Sequence, residues 1–246
     1  MPDREGLAVR TFTPDRPADV PPVLLVHGFG SDGKTDWVDT GMAAALTAAG
    51  RTVIVPDLRG HGATPAPATA GDVTADRCAD DLLAVLDAAG AGTVDVVAYS
   101  LGARLTWALA DAAPGRVRRA VLGGLGPAEP FEAVDVTALH RAVAGEEEPA
   151  DPFTSFIAGM VRAHGEAAAG LALCVEGLRR TPFRPSPWAG PVAPVLVVGA
   201  DDMMVRGTDE IIGVLGAAEL VTVSGDHQQV LIGDEFRHTV VKVLAQ

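Results

Sequence analysis

Short apolar runs alternate along this chain with longer Ala- and Leu-rich stretches of helical spacing, and that alternation constrains the fold most. The runs are "VLLVHG" from Val23, "TVIVPD" from Thr52, "VDVVAY" from Val94, "RAVLGG" from Arg119, "PVLVVGA" from Pro194 and "AELVTVSG" from Ala218. Between them stand segments such as "GMAAALTAAG" and "TADRCADDLLAVLDAAG", each closing on a glycine. Apolar runs without polar alternation need cover on both faces, and helices between them supply the crossovers of a parallel sheet. The spacing therefore predicts an α/β architecture, a mostly parallel central sheet flanked by helices. With 246 residues, 48% of them hydrophobic and 21% charged, the chain has length and apolar content for one large domain.

The alternation lapses between residues 125 and 190. "AVDVTALHRAVAG", "PFTSFIAGMVRAHG" and "AAAGLALCVEGLRR" read as helices, and the Pro-rich "TPFRPSPWAGPVAP" reads as an extended return path. We expect a core built from residues 1–124 and 191–246, with residues 125–190 a helical cap inserted between late strands. The run Glu146-Glu147-Glu148 reads as a solvated loop of that cap.

A formal charge of −13 with only two lysines, Lys34 and Lys242, disfavours nucleic acid and anionic membrane surfaces, which demand clustered Lys and Arg. Cys78 and Cys174 have neither metal-ligand nor disulfide-framework spacing and read as packed, reduced thiols. The opening "MPDREGLAVR" mixes acids and bases without an apolar stretch, unlike a signal peptide, and no apolar run reaches membrane-spanning length. A cytoplasmic protein without a cysteine metal site is the expectation.

Several of the strands end on polar or glycine-rich sequence, and in an open parallel sheet ligands bind at the strands' carboxyl ends. The strand from Val94 ends on Ser100, flanked two residues away on each side by small residues, Ala98 and Gly102, and runs straight into a helix. Such spacing suits a tight turn that holds a side chain clear of its own backbone. "LLVHGFG", "VPDLRGHG", "AYSLG", "VVGADD" and "SGDHQQV" follow one another in the order seen in the α/β-hydrolase family, which the chain resembles over nearly its whole length.

That resemblance makes Ser100 the nucleophile of a Gly-x-Ser-x-Gly elbow in which Ala98 replaces the first glycine. The family's chain order, serine then acid then histidine, leaves His227 and His238 as bases. His238 sits in the amphipathic "DEFRHTVVKVL", so His227, in a loop after a strand, is the choice. His27 and His61 read as architectural, and His140 and His164 as cap residues. The spacing Gly-x-x-Asp from Gly199 selects Asp202 as the acid, with Asp201 the alternative; some members place the acid one strand earlier, where Glu129 comes late. Asp57 and Asp226 read as loop-fixing. The resemblance assigns the oxyanion hole to the backbone amides of Phe29 and Leu101, and Trp37, Tyr99 and Met203 are candidate pocket walls. "HGFGSDGK" lacks the spacing of a Walker phosphate loop.

The resemblance implies a cofactor-free serine hydrolase acting on a small-molecule carboxylic ester or lactone through an acyl-enzyme. One alternative is a carbon–carbon bond hydrolase of a keto-acid, with Arg104, Arg162, Arg179 or Arg180 holding the carboxylate. Another is a receptor-like α/β-hydrolase that binds a ligand and turns it over slowly. A serine, rather than an aspartate, at the elbow argues against dehalogenase and epoxide hydrolase chemistry.

Overall fold

The computed structural model describes residues 6–216 and 218–245. Residues 1–5 of the mixed-charge opening lie outside the described residues. The strands are β1 (Val9–Phe12), β2 (Val23–Val26), β3 (Val53–Pro56), β4 (Val94–Tyr99), β5 (Val117–Gly123), β6 (Val195–Gly199) and β7 (Glu219–Val223). The helices are α1 (Met42–Ala48), α2 (Ala75–Ala88), α3 (Leu101–Ala112), α4 (Val136–Val143), α5 (Pro152–Arg162), α6 (Ala168–Arg180), α7 (Thr208–Leu215), α8 (His227–Ile232) and α9 (Asp234–Leu244).

One seven-stranded sheet runs in the order β1-β3-β2-β4-β5-β6-β7, and every pairing but β1 with β3 is parallel. The six apolar runs thus became the parallel strands. The antiparallel edge strand β1, "VRTF", was not among them. It has no side chain buried in the core and a charged residue, Arg10, in its middle, so it lacks the apolar run by which the others were found. Its register is held by pairing with β3 and by Arg10 Nη1, which donates to Asp57 Oδ1 at 2.7 Å.

The pleat distributes each strand between two cores. Leu24 and Val26 of β2 join Leu82 and Leu86 of α2 and Leu105 and Leu109 of α3. Val23 and Leu25 turn the other way, toward Met42 and Leu46 of α1 and Phe236 and Val240 of α9. The segment between β5 and β6 contributes α4, α5 and α6 and no strand. Its Leu139, Val161, Leu171 and Val175 belong to the same cluster as α2 and α3, so these helices pack onto the sheet's own core. Among the described residues no helix is long and apolar enough to cross a membrane.

At the end of the sheet remote from the strands' carboxyl edge, Asp95 of β4 is fully buried between two arginines. Arg51 Nη2 reaches Asp95 Oδ2 at 2.5 Å, and Arg118 binds the same carboxylate through Nε (2.8 Å) and Nη2 (2.6 Å). Arg51 also donates to the carbonyls of Pro21 and Leu244, tying the strand entrance to the last helix. Removing one member of a buried pair strands the other charge in a medium that solvates it poorly. Asp95→Ala should therefore cost about 3–5 kcal/mol, read as a lowered urea midpoint, whereas Asp87→Ala, which breaks a mostly exposed pair with Arg116, should change it by about 1 kcal/mol or less.

Candidate active site

β4 ends on Ser100, whose φ of 53° and ψ of −115° make it the one non-glycine residue with positive φ among the described residues. A side chain in such a conformation costs on the order of 1–3 kcal/mol and persists only where its surroundings impose it. Two features impose it here. The Ser100 amide donates to Gly123 O at 2.8 Å, carrying the β4–β5 pairing into the turn. Gly102 brings the first turn of α3 against the end of β2: a Cβ there would stand 2.1 Å from Val26 O and 2.7 Å from His27 O. Ala98, fully buried beside Val26 and Leu122, fits where the elbow motif has glycine.

The loop after β2 comes up beside the elbow, with Gly28 so near that a Cβ on it would lie 3.6 Å from Ser100 Cβ. Four side chains hold this loop. Asp36, buried in a short π-helix, accepts from Gly28 N at 2.9 Å and from the Ser31 hydroxyl. Burial pushes the Asp36 carboxyl above its usual range, against the opposing pull of those hydrogen bonds. His27 Nε2 accepts from Leu58 N at 2.9 Å, which leaves Nδ1 protonated to donate to Gly28 O at 2.8 Å; burial holds the ring neutral. Asp57 accepts from Gly33 N, Ala63 N and Arg10. Burial alone would raise its pKa, but those three donors outweigh it and the net shift is downward. His61 donates from Nδ1 to Arg59 O at 3.0 Å, and its pKa is lowered to about 3, first by burial and then by His27. Its ring meets Phe29 edge-on at 5.5 Å, while Phe131 closes on Phe29 from another side at 4.9 Å. Among the described residues neither the Phe29 amide nor the Leu101 amide donates a hydrogen bond.

Asp202 follows β6 in a tight turn, its amide donating to Gly199 O at 3.2 Å. Its carboxylate is fully buried and accepts from His227 Nδ1 at 2.6 Å through Oδ2 and from Met204 N at 2.9 Å through Oδ1. Asp201, the neighbour, points to solvent. The Asp202 bond fixes the proton on Nδ1 and leaves Nε2 with a free lone pair, the state a general base requires. His227 is not in a loop, as the sequence reading had it; it is the first residue of α8, capped by Asp226, which accepts from the amides of Gln228 and Gln229. The six-residue helix was hidden because a polar "HQQ" opens it.

The remaining wall residues sort differently. Tyr99 donates its hydroxyl to His227 O at 2.7 Å and lays its ring 5.1 Å from the imidazole, with Phe236 behind it. Burial, then the charge of Asp202, keep the phenol protonated. It supports the histidine from the core instead of facing a pocket. Trp37 is fully buried against Phe236 and leaves the set of pocket walls altogether. Met203 stands exposed beside the Asp202 turn. His140 binds Glu176, and His238 is exposed on α9. His164, just past α5, lies at the loop: a Cβ on Gly30 would stand 3.0 Å from its Nε2. Glu129 is paired with Arg104, whereas His227 is bonded to Asp202. The Ser100 hydroxyl and His227 Nε2 have not closed a hydrogen bond, a link that commonly tightens when substrate binds. Asp36 and Gly124 escaped the sequence reading; an Asp eight residues past Gly28 and the second glycine of a pair carry no spacing that marks them.

Residues 21–153 match the family model described as alpha/beta hydrolase fold. Over 103 residues, 42% of this chain and 36% of the relative, the sequence is 38% identical to 2-hydroxymuconate semialdehyde hydrolase of Pseudomonas sp. (strain CF600). The aligned region thus spans little more than a third of that relative's length. Among solved structures, a thermophilic esterase from Thermogutta terrifontis superposes with a TM-score of 0.73 at 20% identity, covering 97% of this chain and 93% of that one. The enol-lactonase from Burkholderia xenovorans LB400 gives 0.71 at 23% identity, covering 98% and 96%. At those identities the two structures speak for the fold.

Three substitutions test the geometry through the rate of labelling by a serine-directed phosphonate. Asp202→Asn should slow labelling by roughly 10⁴-fold, since the amide can no longer fix the tautomer, while Asp201→Asn should leave it nearly unchanged. Gly124→Ala, at φ +63°, places a Cβ 2.8 Å from His227 Cε1 and 2.9 Å from the Tyr99 ring. It should slow labelling and cost about 1–2 kcal/mol from the backbone conformation alone, seen as a lower melting temperature.

Proposed function

The chain belongs to the alpha/beta hydrolase fold family, and from that premise we propose that it is a cofactor-free serine hydrolase of small carboxylic esters or lactones. Ser100 attacks the acyl carbonyl as His227 Nε2 takes its proton. Asp202 holds the Nδ1–H and stabilises the imidazolium. The Phe29 and Leu101 amides receive the developing oxyanion at the positive end of α3. His227 then returns the proton to the leaving alcohol, and water, activated by the same histidine, releases the acid from the acyl-enzyme. Residues 125–190 serve as a cap that shapes the acyl pocket, and Met203 stands at its mouth. The observation that carries this reading is the 2.6 Å bond between Asp202 and His227.

A second reading, cleavage of a carbon–carbon bond in a keto-acid by the same triad, is favoured by the similarity to 2-hydroxymuconate semialdehyde hydrolase. Such a substrate brings a carboxylate that needs a cation. The candidate arginines of the insertion are engaged elsewhere, Arg162 with Glu148, Arg180 with Glu176, and Arg179 with the Glu132 carbonyl. Arg104 pairs with Glu129 through Nη1 and lines a cleft that no triad residue shares. This placement is why the ester reading comes first. A receptor-like role differs from both by slow turnover.

A panel of p-nitrophenyl esters, lactones and vinylogous keto-acids, run on wild type and Ser100→Ala, decides among them. Rapid ester or lactone turnover that falls roughly 10⁴-fold or more in Ser100→Ala, together with loss of phosphonate labelling, is the expected result. Turnover confined to keto-acids selects the second reading. Saturable binding without turnover selects the receptor.

A further inference from the structure

α3 carries a stripe at helical spacing, Arg104, Trp107, Ala108 and Asp111, that faces a cleft of about 460 Å³ closed by the return segment Thr181–Arg184. No triad residue lines this cleft, and its volume lies in the range of small-molecule sites. Its walls are graded. Arg104, Trp107 and Phe183 are buried, while Asp76, Asp80 and Asp111 are exposed. Trp107 and Phe183 meet edge to face at 5.5 Å.

The guanidinium of Arg104 is half used. Nη1 pairs with Glu129, yet Nε and Nη2 are buried with no acceptor. Nε and Nη2 form the planar fork that grips a carboxylate with two parallel bonds. Among the described residues that fork is used twice elsewhere. Arg59 holds Asp81 through Nε and Nη2 at 3.0 and 2.8 Å, and Arg118 holds Asp95 at 2.8 and 2.6 Å. A buried donor pair without an acceptor is costly, and a carboxylate supplies what is missing.

The geometry points to a second binding site here, for a zwitterionic amino acid with an aromatic or large apolar side chain. Its carboxylate takes the Arg104 fork, its apolar body lies along Trp107 and Phe183, and its ammonium, one carbon from the carboxylate, turns to the acidic wall supplied by α2, where Asp76 stands beside an Asp80 shared with Arg77. An acid without an ammonium leaves that acidic wall opposing its charge; an amine without a carboxylate leaves the fork empty. The fork lies closed over by neighbouring side chains, so entry requires side chains of the Thr181–Arg184 segment to turn aside, while its backbone stays pinned by the Phe183 amide on Glu129 and by Thr181 Oγ1, which accepts from Ala75 N. The site is independent of the hydrolase reading, since nothing in it touches Ser100, Asp202 or His227.

Isothermal titration of the full chain with phenylalanine, 3-phenylpropionate and phenethylamine tests this, with phosphonate-labelled protein as the control that the active site is not the receptor. Phenylalanine should bind saturably to labelled and unlabelled protein alike, 3-phenylpropionate more weakly, and phenethylamine without saturation. Ala108→Leu, which fills the cleft, should abolish binding and leave hydrolysis of a p-nitrophenyl ester unchanged. Arg104→Lys keeps a cation opposite Glu129 but removes the fork, and should weaken phenylalanine by about ten- to a hundredfold. The proposal is overturned if none of the three binds wild type, if phenethylamine matches phenylalanine, or if Ala108→Leu binds as before. Equal affinity for 3-phenylpropionate overturns the zwitterion assignment. Binding lost on labelling places the ligand in the active site and overturns the second site, whereas failure of the hydrolase reading shows separately, as absent labelling and turnover.

Discussion

The close approach of α3 to the end of β2 at Gly102 is the contact on which the site depends. A methyl group there would collide with the carbonyls of Val26 and His27, so any larger residue pushes the helix off the sheet. With the helix seated, Ser100 is forced into a positive φ between a strand and a helix that cannot yield. The same seating brings the loop after β2 alongside, so that Gly28 lies against Ser100. The strain at the serine and the nearness of the Phe29 amide are thus two results of one packing decision. Asp36 completes it by taking up the Gly28 amide, while the Phe29 amide next to it donates no hydrogen bond among the described residues.

The histidine is set by the other face of the sheet. Ala98 and Tyr99 are adjacent on β4, so the pleat sends them to opposite sides, Ala98 toward α3 and Tyr99 toward α9. Tyr99 therefore arrives under His227, backed by Phe236, and bonds its carbonyl. Gly124 leaves room for the ring edge. The serine is held by α3 packing and the histidine by α9 packing, and the sheet between them keeps the two in register. This division explains why the acid needs only a short turn after β6: once the imidazole is placed from below, Asp202 has one bond to make.

The sequence was most legible where a residue's role repeats along a strand or closes one. The six parallel strands announced themselves through apolar runs, although β7 at the sheet's edge is largely exposed, and the pairing of Asp202 with His227 was reachable from their places past strand ends. Illegible features were those created by contacts between distant segments. β1 is an edge strand whose polar residues give no period, and α8 begins on the polar His227. Asp36 reads as one acid among many until Gly28 is brought to it by folding. Trp37 and Tyr99, candidate pocket walls in the sequence, are both packed inside the core. Residue type and nearness in sequence could not say which way those rings turn.

The insertion between β5 and β6 is bound to the core at its root. Glu129, where it begins, accepts from Phe131 N at 3.0 Å and from Phe183 N at 3.4 Å, so a single carboxylate holds both the outgoing and the returning chain. Arg104 ties that carboxylate to the elbow helix. Leu139, Val161 and Leu171 add an apolar surface continuous with the core. Lifting the insertion as a body would separate a buried ion pair and wet that surface together, both costly steps. At the rim, by contrast, His164 beside Gly30 and Met203 beside Asp202 stand exposed and outside both anchors. The insertion is therefore built as a wall fixed to the core, not as a body hinged from it, because its ion pair and its apolar surface would have to be given up together.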